Sequence, residues 1–288
     1  MRMLNPDDER FLAGVGTHLP GPRAQRRPGV AMEIVREINW PLWLGFLALM
    51  AAALYICRFP NLVTVGVVGF VIVGWIFSLA LHEFGHAATA FASGDRSLPT
   101  RRYLSGNPLL YLHPYLSIVF PLLFLIIGGI PLPGGAVYLN RGMVRGRWRQ
   151  AAISLAGPAA NVIVGALLLV LVRVGDAFSL LGTAESALAA ESAVVFLAAL
   201  QLVAVVLNLL PIPGLDGGNA IQPFLGERDL RTFYAIQPYA FIILFALIWL
   251  VPGVNDFIWS LVYRGLALGG VEPELAYIGQ TLFMFWRR

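Results

Sequence analysis

Between Leu62 and Ala92 the chain carries a single charged side chain, Glu83. A bilayer core about 30 Å thick is crossed by roughly 20 apolar residues. With no water to satisfy its backbone there, such a segment must be a helix. Comparable apolar stretches occupy Trp40–Cys57, Ala151–Val174, Ser192–Leu210, Phe233–Val251 and about Phe257–Leu268. With 58% hydrophobic and 12% charged residues, little of the chain remains for a soluble domain. The expectation is an all-α polytopic membrane protein with about six transmembrane helices.

The polar segments set the expected organisation. Residues 1–39, rich in Pro, Gly and Arg, read as a cytoplasmic N-terminal tail in which Glu33–Asn39 begins an interfacial helix and His18 is solvated. Residues 40–270 form the membrane domain, with its core at 62–218, and residues 271–288 read as a C-terminal tail. Arg96, Arg101 and Arg102, set against Asp95, and Arg141, Arg145, Arg147 and Arg149 form two basic clusters. The positive-inside rule puts both in the cytoplasm, along with the two termini. The apolar piece between them, Leu116–Ile130, is then too short to cross and reads as a re-entrant element. His113 beside it is a loop residue or an accessory polar group. In PLPGGAVYLN (131–140), Gly134 and Gly135 permit a turn and Ala136–Leu139 suit a short strand. An unpaired edge there, with Gly135, Ala136, Val137 and Tyr138, could hold an extended peptide by strand addition.

Charge and cysteine content narrow the function classes. The net charge of +4 matches basic cytoplasmic loops, and no nucleic-acid motif accompanies it. A single cysteine, Cys57, excludes an intrachain disulfide and a Cys-based zinc site.

Glu83 belongs to the pattern His82-Glu83-Phe84-Gly85-His86. Residues i and i+4 lie one above the other on a helix, so both imidazoles can grip one metal ion with a carboxylate beside them. A charge at mid-membrane costs roughly 2.5–3.5 kcal/mol on insertion scales, so it marks function by default. Two histidines need a third protein ligand, with a fourth position left open for chemistry. Asp216 fits best: it follows an apolar span, after Pro211, Pro213 and Gly214, which break the helix, and before Gly217 and Gly218, which leave space around it. By itself it would read as a turn aspartate. Asn161, in a span rich in small residues (Ala156, Gly157, Ala159, Ala160, Gly165), is interhelical glue or a group near the site, where it is a candidate substrate-binding residue.

HEFGH at 82–86, AGPAAN at 156–161 and NLLPIPGLDGG at 208–218 together resemble the three signatures of the site-2 proteases, intramembrane zinc metalloproteases. PLPGGAVYL is similar to their re-entrant substrate-holding β-loop. The resemblance implies one Zn²⁺ per chain held by His82, His86 and Asp216, Glu83 as catalytic acid and base, and Asn208 orienting substrate or a neighbouring loop. It implies a transmembrane protein substrate cut within the bilayer, as in regulated intramembrane proteolysis, and a multi-pass bacterial membrane protein of the compact type without PDZ or CBS domain. Oligomeric state is left open. One departure is Gly214, where many members have proline. A metal transporter would need carboxylates on several spans and repeat symmetry, neither of which is evident. A non-catalytic scaffold would not need Glu83.

Overall fold

The computed structural model describes residues 29–110, 143–178 and 184–287. The expected re-entrant element, the strand at 136–139, His113 and the candidate residues Gly135, Ala136, Val137 and Tyr138 lie outside them. Among the described residues the fold is helical throughout, with no strand.

The chain opens with α1 (Val30–Glu37) and α2 (Trp40–Ile56). Between them Asn39 caps α2, its side chain accepting from Leu42 N at 3.3 Å, with Pro41 in the first turn where its missing N–H costs nothing. The motif helix α3 (Val63–Ala92) is followed by the short α4 (Leu98–Tyr103). Two long helices come next, α5 (Arg147–Phe178) and α6 (Ala184–Asn208), then α7 (Asp216–Ile221), α8 (Glu227–Ile236), α9 (Ala240–Leu250), α10 (Val254–Leu268) and α11 (Glu274–Phe283).

α6 is the axis of the bundle. Residues 193–200 are buried without a break, and 78% of its apolar window is enclosed, against 33% for α3 and for α5. Helices α3, α5, α10 and α11 pack on it. In lipid no hydrophobic force favours one helix neighbour over a lipid tail, so such packing rests on close fit and small side chains, which the Ala-rich sequence of α6 supplies.

Among the described residues three helical stretches are long and apolar enough to cross a bilayer: Pro60–Ala92, Arg147–Gly175 and Ala187–Asn208. Two bent pairs bring the count to as many as five, Val30–Glu37 with Trp40–Ile56 at 64° and Glu227–Tyr239 with Ile242–Leu250 at 71°. The expected count of six is therefore larger than the described residues support. The stretch read as one span from Phe233 to Val251 breaks into a short 3-10 turn at Gln237–Tyr239, where Pro238 lacks a backbone donor. α10, at 15 residues, is short of a full crossing. The segment 271–288, expected as a tail, contains α11, which lays Ala276, Gly279 and Phe283 against the core.

α1 confirms the helix expected near Glu33, although it starts three residues earlier. Its acids meet the first basic cluster: Arg96 Nη1 lies 2.6 Å from Glu33 Oε2 and Arg101 Nη1 3.2 Å from Glu37 Oε1. Asp95 is buried and accepts from Ser97 N and Thr100 Oγ1. Partly exposed ion pairs contribute about 0–1 kcal/mol each, so their value here is positional. They hold α1 and α4 at the end of the bundle where α3 finishes. The start of α5 is at that end too, because Ala90 packs with Val144 and Ile153.

Candidate metal centre

α3 and α5 run antiparallel, and α5 brings Ile153, Gly157 and Asn161 past the two histidines. His82 and His86 are buried one turn apart, with their Nε2 atoms 3.1 Å from each other. α7 begins at Asp216, and its carboxylate closes the group: Oδ2 lies 3.1 Å from His82 Nε2 and Oδ1 3.3 Å from His86 Nε2. Ligand atoms from these three residues all fall within 4.8 Å of one another. The third partner singled out from sequence, 130 positions beyond His86, is thus brought to the histidine pair.

The hydrogen bonds on the far side of the rings decide what these atoms can do. His86 Nδ1 faces the carbonyl of Ile153 at 2.6 Å, and His82 Nδ1 faces Oδ1 of Asn161 at 2.5 Å. A carbonyl oxygen only accepts, so each Nδ1 carries the proton and donates it. Each Nε2 then presents a lone pair to the other and to Asp216, whose Oδ2 is buried with no hydrogen-bond donor. Three converging acceptors without a proton between them are satisfied by a cation. Zinc bonds of about 2.0–2.1 Å in a tetrahedron place donor atoms about 3.3–3.4 Å apart, close to the separations found. Two neutral imidazoles, each held by an acceptor behind its Nδ1–H, and one carboxylate suit Zn²⁺.

Glu83, next in the chain to His82, is buried with the pair. Asn161, expected as interhelical glue or as a group near the site, is both: it bridges His82 to Gln201 on α6. Its Oδ1 and Nδ2 are both engaged there, behind the His82 ring. Asn208 is buried at the last residue of α6. Sequence reasoning did not find Gln201 or the Ile153 carbonyl. The first had a signal, as the one polar residue between Val194 and Leu207; the second, a main-chain atom, had none.

Glycines shape the approach. A Cβ on Gly157 would lie 2.3 Å from His86 Nε2 and 2.5 Å from His82 Nε2, so α5 passes the ligand atoms at a distance only glycine permits. Gly217 and Gly218 were expected to leave space around Asp216. They instead admit the carbonyls of Leu209 and Ile212, which fold back against them. Gly214 has φ +99°, outside the range proline can adopt. The departure from the family pattern therefore goes with a turn of left-handed type in this chain. Gly214→Pro is expected to destabilise the protein by more than about 1 kcal/mol, read as a lower unfolding midpoint in detergent. An unchanged midpoint would mean that the turn accommodates proline.

Residues 70–251 match the family described as peptidase family M50. The chain is 43% identical over 222 residues to "Putative zinc metalloprotease Rip2" of Mycolicibacterium smegmatis, covering 77% of this chain and 82% of that protein. With the protein of the same name from Mycobacterium tuberculosis H37Rv it shares 41% identity over 251 residues, 85% of this chain and 93% of that one. A more distant relative is "Putative zinc metalloprotease YwhC" of Bacillus subtilis, at 26% over 203 residues, 68% and 87% of the two chains. No solved structure gives a significant match.

Proposed function

Because the chain belongs to peptidase family M50, the site-2 protease family of zinc metalloproteases, we propose that it hydrolyses peptide bonds in or near a transmembrane segment of membrane-protein substrates. The protein is a zinc metalloendopeptidase and its cofactor is Zn²⁺. The observation that carries the intramembrane reading is the position of the ligand cluster: its histidines lie on one of the three membrane-length helices, with Glu83 as the only charge in that helix.

His82, His86 and Asp216 would hold the ion. Zinc, when bound, lowers the pKa of a coordinated water and polarises the scissile carbonyl. Glu83 takes the proton from the attacking water and returns it to the leaving amine nitrogen as the C–N bond breaks. Ile153 and Asn161 keep the two imidazoles in the tautomer that leaves Nε2 free. A substrate helix has its amides bonded internally, so it must unwind before attack, and helix-weakening residues near the cut favour it. Asn208 and the stretch at 135–138 are assigned to holding the unwound segment, the latter by strand addition.

On one flank of residues 111–142 Val144 packs with Ala90 near the end of α3, and on the other Leu110 packs on the group of Ala80, Ala87, Phe91, Tyr103 and Leu104. Two crossings need about 40 residues, more than this interval contains, which supports the re-entrant reading over a pair of spans. The two Arg-rich segments, of which Arg96 and Arg101 are tied to α1 by Glu33 and Glu37, support a cytoplasmic location for that end and for the N-terminus. The scheme of six spans and a cytoplasmic C-terminus is kept as part of this proposal, with the membrane domain expected at 40–270 extended through α11, which packs into its core.

The reading is tested by comparing membrane proteomes of cells carrying the wild-type chain and Glu83→Gln. Uncut membrane proteins should accumulate in the variant, with cuts mapping to transmembrane segments; identical profiles would overturn the proposal. A zinc chelator is expected to stop hydrolysis by the purified chain and to lower its unfolding midpoint. Zinc at 100 times its Kd contributes about 2.7 kcal/mol. Both effects should reverse on adding zinc back, and a chelator-insensitive midpoint and activity would argue against the site.

A further inference from the structure

Three membrane helices share one polar chain that lies beyond the ligands. Ser78 on α3, Gln201 on α6 and Asn161 on α5 are all buried, Gln201 completely. Ser78 Oγ lies 2.9 Å from the carbonyl of Trp75, Gln201 Nε2 lies 3.0 Å from Ser78 Oγ, and Asn161 Nδ2 lies 2.8 Å from Gln201 Oε1. Asn161 Oδ1 then meets His82 Nδ1.

The direction of every bond follows from the first link. A main-chain carbonyl only accepts, so the Ser78 hydroxyl uses its one proton there and must accept from Gln201. The amide nitrogen of Gln201 therefore faces Ser78, and its oxygen faces Asn161. That orientation places the Asn161 nitrogen toward Gln201 and its oxygen toward His82.

We infer that Gln201 is a positioning residue of the metal centre: through Asn161 it holds His82 in the Nδ1–H tautomer, with the Nε2 lone pair turned toward His86 and Asp216. This rests on the ligand assignment proposed above. Without Gln201 the Asn161 amide is free to rotate by half a turn and offer its NH₂ to His82. Nδ1 would then accept, and the proton would sit on Nε2, where it competes with the ion. A merely structural role is the competing explanation, since polar side chains also hold membrane helices together by hydrogen bonds. That role would lower stability and leave metal affinity alone.

The experiment measures Zn²⁺ affinity of the full chain in detergent by chelator competition, together with the visible spectrum of the Co²⁺ form. Gln201→Met removes both polar atoms at nearly constant volume and is expected to weaken zinc binding about tenfold and to shift the Co²⁺ spectrum. Gln201→Glu, as the neutral acid, keeps one donor and one acceptor in the same places and should recover most of the loss. Asn161→Leu should cost about 10–100-fold, and adding Gln201→Met to it should cost nothing more, because both act through one link. Wild-type affinity in Gln201→Met, or additive losses in the pair, would overturn the inference. If Gln201→Met does not fold, Ser78→Ala tests the same chain from its far end: a smaller loss of affinity supports the inference and no loss overturns it. Asp216→Asn separates the two levels. Should that variant lose zinc while Gln201→Met keeps it, only the positioning role fails; should Asp216→Asn keep zinc at full affinity, the ligand set fails and this inference with it.

Discussion

Glu83→Gln is expected to lower peptide hydrolysis by on the order of 10²–10⁴-fold, the range typical of a lost acid–base group, while zinc stays bound at one per chain. The substitution is nearly isosteric and adds no charge, so the buried surroundings of residue 83 need not rearrange. It also lies outside the converging set of His82, His86 and Asp216, so the donors remain. What is lost is the ability to hold a proton and return it, since an amide at this position cannot act as a base. The measurement pairs turnover of a transmembrane peptide with zinc content and circular dichroism of the same preparation. Full turnover would remove Glu83 from the mechanism. Loss of turnover together with zinc would instead move it into the metal-holding machinery.

The second large effect is expected at Gly157. Alanine normally stabilises a helix interior by up to about 1 kcal/mol relative to glycine, so backbone propensity alone would make Gly157→Ala neutral or favourable. The close approach predicts the opposite for function. The new methyl carbon would stand 2.3 Å from His86 Nε2 and 2.5–2.7 Å from Nε2 and Cε1 of His82, inside any possible contact distance. Either α5 moves out, carrying Asn161 and the Ile153 carbonyl away from the rings, or the rings turn. Both routes scatter the donors, and zinc affinity should fall by roughly 10–100-fold or more, with activity following. The informative combination is weaker zinc binding with an unfolding midpoint of the metal-free chain that is unchanged or raised. A variant with normal zinc affinity would show that α5 relaxes without disturbing the ligands.

Much of the site was legible because its chemistry depends on spacing. A spacing of four residues, about the 3.6 of one helical turn, places His82 under His86 whatever the rest of the chain does. The low tolerance of lipid for charge made Glu83 conspicuous. Asp216 was legible for a different reason, as the acid flanked by helix breakers at the end of a span. The helix boundaries were less legible. Phe233–Val251 reads as one apolar run because hydropathy averages over Pro238, whereas the backbone breaks there for want of a single donor. Likewise α11 has too few apolar residues to read as a membrane element, yet the burial of Phe283 and Gly279 shows that it packs into the core.

Sequence by itself determined that this chain enters a membrane, that it does so as helices, and that two imidazoles and a carboxylate share a turn inside one of them. Those results follow from hydropathy and helical period, which are local properties. Tertiary structure alone decided that Asp216 reaches the histidines, that Gly157 is the surface they pass, and that Asn161 and Gln201 stand behind His82. The reason is that a tautomer is set by whichever acceptor faces the opposite ring nitrogen, and such partners come from helices far apart in the chain, brought together only by packing.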